Sequence, residues 1–154
     1  MNRTFFAALF RSSRGFPFAT NLSLVSIPIG LAAMVLGPPV SRAFSILFDQ
    51  PAVVYVWGVV LFLGGLYVAA GIGRLKPSME RAGLFVLAPA YAFYGTSVVI
   101  ALGKGGLVAG PVFLALAVSC LQRARIISAA ARTVAQAATA DEALHATNDI
   151  TKLP

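Results

Sequence analysis

Few side chains in this sequence could do chemistry, and none of them stands in a catalytic arrangement. The single histidine, His145, lies near the C-terminus close to Asp141, Glu142 and Asp149, in a segment rich in Ala and Thr. The single cysteine, Cys120, has no partner for an intramolecular disulfide, and its apolar surroundings are typical of a small packing residue. The sequence has neither a Gly-rich phosphate loop nor metal-ligand spacing. These observations argue against an enzyme and predict no cofactor, no metal site and no small-molecule substrate.

Four apolar stretches occupy most of the chain, which has 154 residues, of which 58% are hydrophobic and 11% charged. An α-helix of about 20 apolar residues crosses roughly 30 Å of hydrocarbon. In lipid, each backbone polar group must be satisfied within its own helix. We therefore predict an all-α fold, an integral membrane four-helix bundle. The predicted spans are residues 18–36, 51–73, 82–102 and 105–121, which together form a transmembrane domain over residues 18–121.

Shorter segments flank the predicted spans. Residues 1–17 carry Phe and Leu at helical spacing beside arginines, which predicts a cytoplasmic interfacial segment. Residues 41–48 are too short to cross and too apolar for a free loop, so we expect them to lie in or dip into the external interface. Residues 122–154 are predicted to form a cytoplasmic helical tail with a disordered end from about Thr147. Within it, the capping-box form of residues 139–142 predicts a break and a fresh short helix.

The positive charges predict the orientation, because Lys and Arg resist translocation across the membrane. Ten of the twelve basic residues precede the first span, lie between the second and third, or follow the fourth. Arg42 and Lys104 are left for the other side. We therefore expect a multi-pass protein of the bacterial cytoplasmic membrane with its N-terminus and C-terminus in the cytoplasm. The residues expected to set topology and contact lipid headgroups include Arg11, Arg14, Arg74, Lys76, Arg81, Arg123 and Arg125.

The net charge of +7 favours a lipid partner over nucleic acid. The basic residues are spread over three segments with few aromatics among them, and juxtamembrane Lys and Arg are attracted to anionic headgroups. Tyr55 and Trp57, near the start of the second span, are predicted to sit in the aromatic belt of the external interface.

Two patterns of small residues predict contacts between helices. Gly65, Ala69 and Gly73 share one face of the second span, where small side chains let two backbones approach closely. This helix-packing face fits either contacts within the bundle or self-association. On the first span, Thr20, Ser23 and Ser26 form a polar stripe that fits either hydrogen bonding between helices or the wall of a pore.

The spans carry no ionisable residue in their cores, which argues against coupled transport. The segments Met79-Glu80-Arg81-Ala82-Gly83-Leu84 and Cys120-Leu121-Gln122-Arg123-Ala124 resemble those of small four-span membrane proteins of actinobacteria and their phages, some of which are proposed as holins. The resemblance implies a holin-like, self-associating pore former whose partners are the bilayer and other copies. The alternative is a non-catalytic accessory or scaffold subunit of a larger membrane complex, and the second alternative is an uncoupled channel or carrier.

Overall fold

The chain folds into α-helices joined by short connections, as predicted. A computed structural model describes the backbone of residues 17–150, without the side chains of residues 17, 134, 135, 137, 138 and 140–150. Most of the predicted interfacial segment, including Arg11 and Arg14, therefore lies outside the described residues. The α-helices of the described part are α1 (Pro17–Leu36), α2 (Arg42–Leu47), α3 (Ala52–Gly73), α4 (Pro77–Leu102) and α5 (Ala109–Ile150). The predicted all-α class is confirmed.

Four helical segments in the described part are long and apolar enough to cross a membrane. This is the architecture of a multi-pass membrane protein. The third and fourth segments are longer than predicted, because α4 already begins at Pro77, where a proline fits the first helical turn, and α5 continues past Leu121. The segments are Phe18–Leu36, Ala52–Gly73, Pro77–Gly106 and Ala109–Thr133.

Helix α5 is a single helix of 42 residues. The predicted break at residues 139–142 is wrong, since the backbone stays helical through them to Ile150. The many alanines of this stretch have the highest helix propensity of any residue, and a capping sequence starts a new helix only where the chain leaves helical geometry.

The spanning helices pack in the order of the sequence, with α1 against α3, α3 against α4, and α4 against α5. A 3-10 turn (Pro38–Val40) and helix α2 connect α1 to α3, and α2 also packs against α4. The connection between α3 and α4 is a tight turn, whereas a second 3-10 turn (Gly103–Gly106) joins α4 to α5. Two ends of the bundle result. The basic end carries the α3–α4 turn with Arg74 and Lys76, and the opposite end carries α2.

Each pair of neighbouring helices meets where two glycines face each other. A Cβ atom placed on Gly58 would lie 2.9 Å from the carbonyl oxygen of Gly30 and 2.8 Å from the Cβ atom of Ala33. These distances are too short for real contacts, so only glycine allows the two backbones to approach this closely. Small residues hold transmembrane helices together in this way, because close backbones gain van der Waals contact. The glycine pairs are Gly30 with Gly58, Gly64 with Gly83, and Gly95 with Gly110.

We expect the substitution Gly30→Ala to destabilise the fold by about 2 kcal/mol, because the new methyl group meets rigid backbone. Its Cβ would lie 2.7 Å from the carbonyl oxygen of Gly58 and 2.9 Å from the Cα atom of Phe62. Gly105→Ala is the matched control, since the nearest atom to its Cβ is 3.9 Å away. The free energy of unfolding in detergent micelles checks this, and an equal effect of both substitutions would contradict the close approach.

Candidate functional site

The hydroxyl stripe of α1 points into the protein. Thr20, Ser23 and Ser26 are 4%, 1% and 0% exposed. The Ser23 hydroxyl donates a hydrogen bond of 2.9 Å to the backbone carbonyl of Thr20. The Ser26 hydroxyl donates to the carbonyl of Leu22 at 2.6 Å. In the single chain the stripe is therefore buried, and these two hydroxyls bond to the backbone of α1 itself.

Ser26 also joins α1 to α4 through Tyr91. The two hydroxyl oxygens are 2.7 Å apart, and both residues are almost fully buried. Because the one proton of Ser26 already goes to Leu22, the phenol of Tyr91 must donate and the oxygen of Ser26 must accept. The ring of Tyr91 stacks on Phe113 of α5 with 6.1 Å between centroids. This central contact therefore links α1, α4 and α5. Its hydrogen bond has no competitor from water, because the site is buried and the hydrocarbon of the bilayer holds no water.

The three residues of the helix-packing face predicted on α3 differ in how deeply they are buried. Gly65 is buried against α1, where an added Cβ would lie 3.1 Å from the Cβ atom of Ser26. Ala69 is 6% exposed, and Gly73 is partly exposed at the end of the helix. Gly65 thus lies beside the central hydroxyl contact.

Aromatic side chains fill the opposite end of the bundle. Trp57 is 5% exposed, and its indole N–H donates a hydrogen bond of 3.0 Å to the carbonyl of Ala90, just after Pro89. Its ring stacks on Tyr94 at 4.7 Å and meets Phe44 of α2 edge-on at 5.2 Å. Trp57 therefore packs between helices and does not face headgroups as predicted, because its N–H finds a partner inside. Tyr55 is 41% exposed.

An ion pair between a buried glutamate and a partly exposed arginine lies at the basic end, and the sequence analysis did not predict it. Glu80, in the first turn of α4, is 7% exposed. The Nε atom of Arg123 on α5 donates to its carboxylate oxygen Oε1 at 3.0 Å. Arg123, which was predicted as a topology and headgroup residue, has its guanidinium paired with the charge of Glu80. A signal was present, since Glu80 is the only acidic residue between Asp49 and Asp141 and is followed at once by an apolar span.

The other predicted headgroup residues of the described part remain on the surface. Arg74, Lys76, Arg81 and Arg125 are all exposed. Arg81 donates a hydrogen bond of 3.3 Å to the hydroxyl of Ser128 on α5. These four residues lie at the end of α3, the start of α4 and the middle of α5. The basic end of the protein therefore carries exposed positive charge.

A groove of about 610 Å³ opens at the basic end beside the ion pair. Its walls come from the end of α3, the α3–α4 turn and α5, and most of its lining is apolar. Among the described residues, no group of three or more His, Cys, Asp or Glu side chains lies close enough to hold a metal ion. In the part of the chain that the structure describes, surfaces able to contact other molecules therefore include this groove and the exposed faces of the helices.

The chain matches no protein-family model, no curated protein and no solved structure. The resemblance to holin-like proteins thus stays a prediction.

The central hydroxyl contact predicts an asymmetric response to substitution. Ser26→Ala leaves the Tyr91 phenol buried without its acceptor, which we expect to cost about 1–3 kcal/mol. Tyr91→Phe removes the donor and leaves Ser26 bonded to Leu22, so its cost should be nearer 1 kcal/mol. The double variant should be no less stable than Ser26→Ala. Free energies of unfolding in micelles provide the double-mutant cycle, and strictly additive effects would show that the two hydroxyls do not interact.

Proposed function

We propose that this chain is a non-catalytic accessory or scaffold subunit of a larger membrane assembly, and that α5 is the helix through which it associates. The observation that carries the proposal is the geometry of α5. Only 22% of its span is buried within the protein, against 39–44% for the other three spans. Of the four spans, α5 therefore leaves the largest share of its residues free to contact lipid or a partner.

The length of α5 supports the same role. A helix of 42 residues is about 63 Å long, roughly twice the hydrocarbon thickness of a bilayer. If the span ends near Thr133, the rest extends beyond the hydrocarbon as a rigid arm. Such an arm suits contact with another subunit at the membrane surface, and a protein that only lines a pore does not require it.

A non-enzymatic role is supported by what the interior polar groups do. Ser23, Ser26 and Tyr91 bond within the protein, and Glu80 is paired with Arg123. Ser23 bonds within α1, whereas the Ser26–Tyr91 and Glu80–Arg123 pairs join different helices. The partners we propose are therefore the bilayer and other membrane subunits, with both chain termini on the cytoplasmic side of a bacterial membrane.

A holin-like pore former is the second candidate. The observation in its favour is again the free surface of α5, where Val118 is 52% exposed and Val112 is 54% exposed. Copies of the chain could pack through this surface without any other protein. However, a pore wall made of Thr20, Ser23 and Ser26 would require the bundle to open and the Ser26–Tyr91 hydrogen bond to break. The buried Ser26–Tyr91 hydrogen bond therefore favours the accessory role.

Expression of the chain alone in a bacterial host separates the two candidates. An accessory subunit should leave the membrane potential intact, because its activity needs a partner. The measurement is the signal of a potential-sensitive dye, followed together with the amount of protein in the membrane fraction. A host expressing a characterised holin is the positive control.

Collapse of the potential at comparable membrane abundance would contradict the accessory role and favour the pore former. The variant Ser23→Leu/Ser26→Leu would then show whether the hydroxyl stripe lines the lesion, since apolar side chains delay wetting of a pore.

A further inference from the structure

The groove at the basic end combines an apolar wall with a charged floor. Ile72 and Leu75 line it from α3 and the following turn, while Ile126 and Ile127 line it from α5. The ion pair between Glu80 and Arg123 closes its inner side. Since both charges of the pair are already matched, the groove presents mainly hydrocarbon to an occupant.

The turn that forms one wall holds a leucine in a conformation that favours glycine. The N–H group of Lys76 donates to the carbonyl of Gly71 at 2.8 Å, and that of Leu75 donates to the carbonyl of Ile72 at 3.3 Å. These two bonds define a Schellman motif, whose left-handed position is usually glycine. Here the position is Leu75, with φ 54° and 84% of its surface exposed. A large apolar side chain is therefore displayed beside the groove at a cost in backbone strain, and such strain is concentrated at functional sites.

Two unmatched positive charges flank this leucine. Arg74 and Lys76 are exposed, and within residues 18–133 neither of them forms an ion pair. The nearby carboxylate of Glu80 is held by Arg123 at 3.0 Å. Two exposed positive charges therefore lie next to Leu75 in the turn that forms one wall of this mostly apolar groove.

We propose that this groove binds one anionic phospholipid. The walls at Ile72, Leu75 and Ile126 would contact an acyl chain, and the phosphate would lie between Arg74 and Lys76. The position supports this occupant, because the turn at the groove lies between two candidate spans that end at Gly73 and begin at Pro77, and span ends are where headgroups are expected. Basic pockets between transmembrane helices bind anionic headgroups in this way. The proposal requires a membrane location but not the accessory role.

The proposal predicts selective retention of lipid by the purified protein. In native mass spectrometry of the full chain in detergent, phosphatidylglycerol should bind on the order of 10-fold more tightly than phosphatidylcholine with the same acyl chains. The double variant Arg74→Gln/Lys76→Gln should lose this preference. Arg42→Gln/Lys104→Gln removes the same number of exposed charges at the opposite end and should keep it.

Leu75→Gly tests the apolar wall separately from the charges. Glycine relieves the strained backbone, so the melting temperature should stay the same or rise, while retention of phosphatidylglycerol falls. Equal retention of both lipids by the unmodified protein would overturn the proposal. So would undiminished retention in Arg74→Gln/Lys76→Gln or in Leu75→Gly. A dimer that forms without lipid and is lost in Leu75→Gly would show that a second copy occupies the groove instead.

Discussion

The fold depends on one property of the bilayer: in lipid, no hydrophobic driving force brings apolar helices together. Helices in this environment need close van der Waals contact or polar bonds that lipid cannot offer. This chain uses both. Facing glycines bring each neighbouring pair of helices into backbone contact, as at Gly30 and Gly58. The hydroxyls of Ser26 and Tyr91 then fix α1 against α4.

The two ends of the bundle are held together by different polar and aromatic contacts. At the opposite end, Trp57 donates a hydrogen bond inside the bundle, and rings from four helices contact one another, so that α2 is held by the buried ring of Phe44. At the basic end, the ion pair of Glu80 and Arg123 joins α4 to α5 but leaves a groove beside it. The two ends therefore differ in charge, because the ion pair lines the groove at the basic end, whereas the smaller groove beside Trp57 has an apolar lining.

The sequence predicted the features that depend on composition along one helix. Four spans, their order and the concentration of basic residues could be read from residue types alone. Contacts between helices could not, because they depend on which faces meet. Trp57 was predicted at the interface, but its N–H donates to the carbonyl of Ala90 inside the bundle. The ion pair of Glu80 with Arg123 joins two helices, so no pattern along one helix reveals it. The continuous α5 was missed because a capping sequence is a local signal, whereas the alanines around it favour one helix.

The central proposal is that the four apolar helices cross the membrane and that the basic end lies inside the cell. Labelling with a membrane-impermeant maleimide tests it most directly, in a Cys120→Ala background. Gln50 and Lys76 are both exposed and lie at the two ends of α3. The account predicts that Gln50→Cys is labelled in intact cells and that Lys76→Cys is labelled only after the cells are broken. Labelling of both positions from the same side would contradict it.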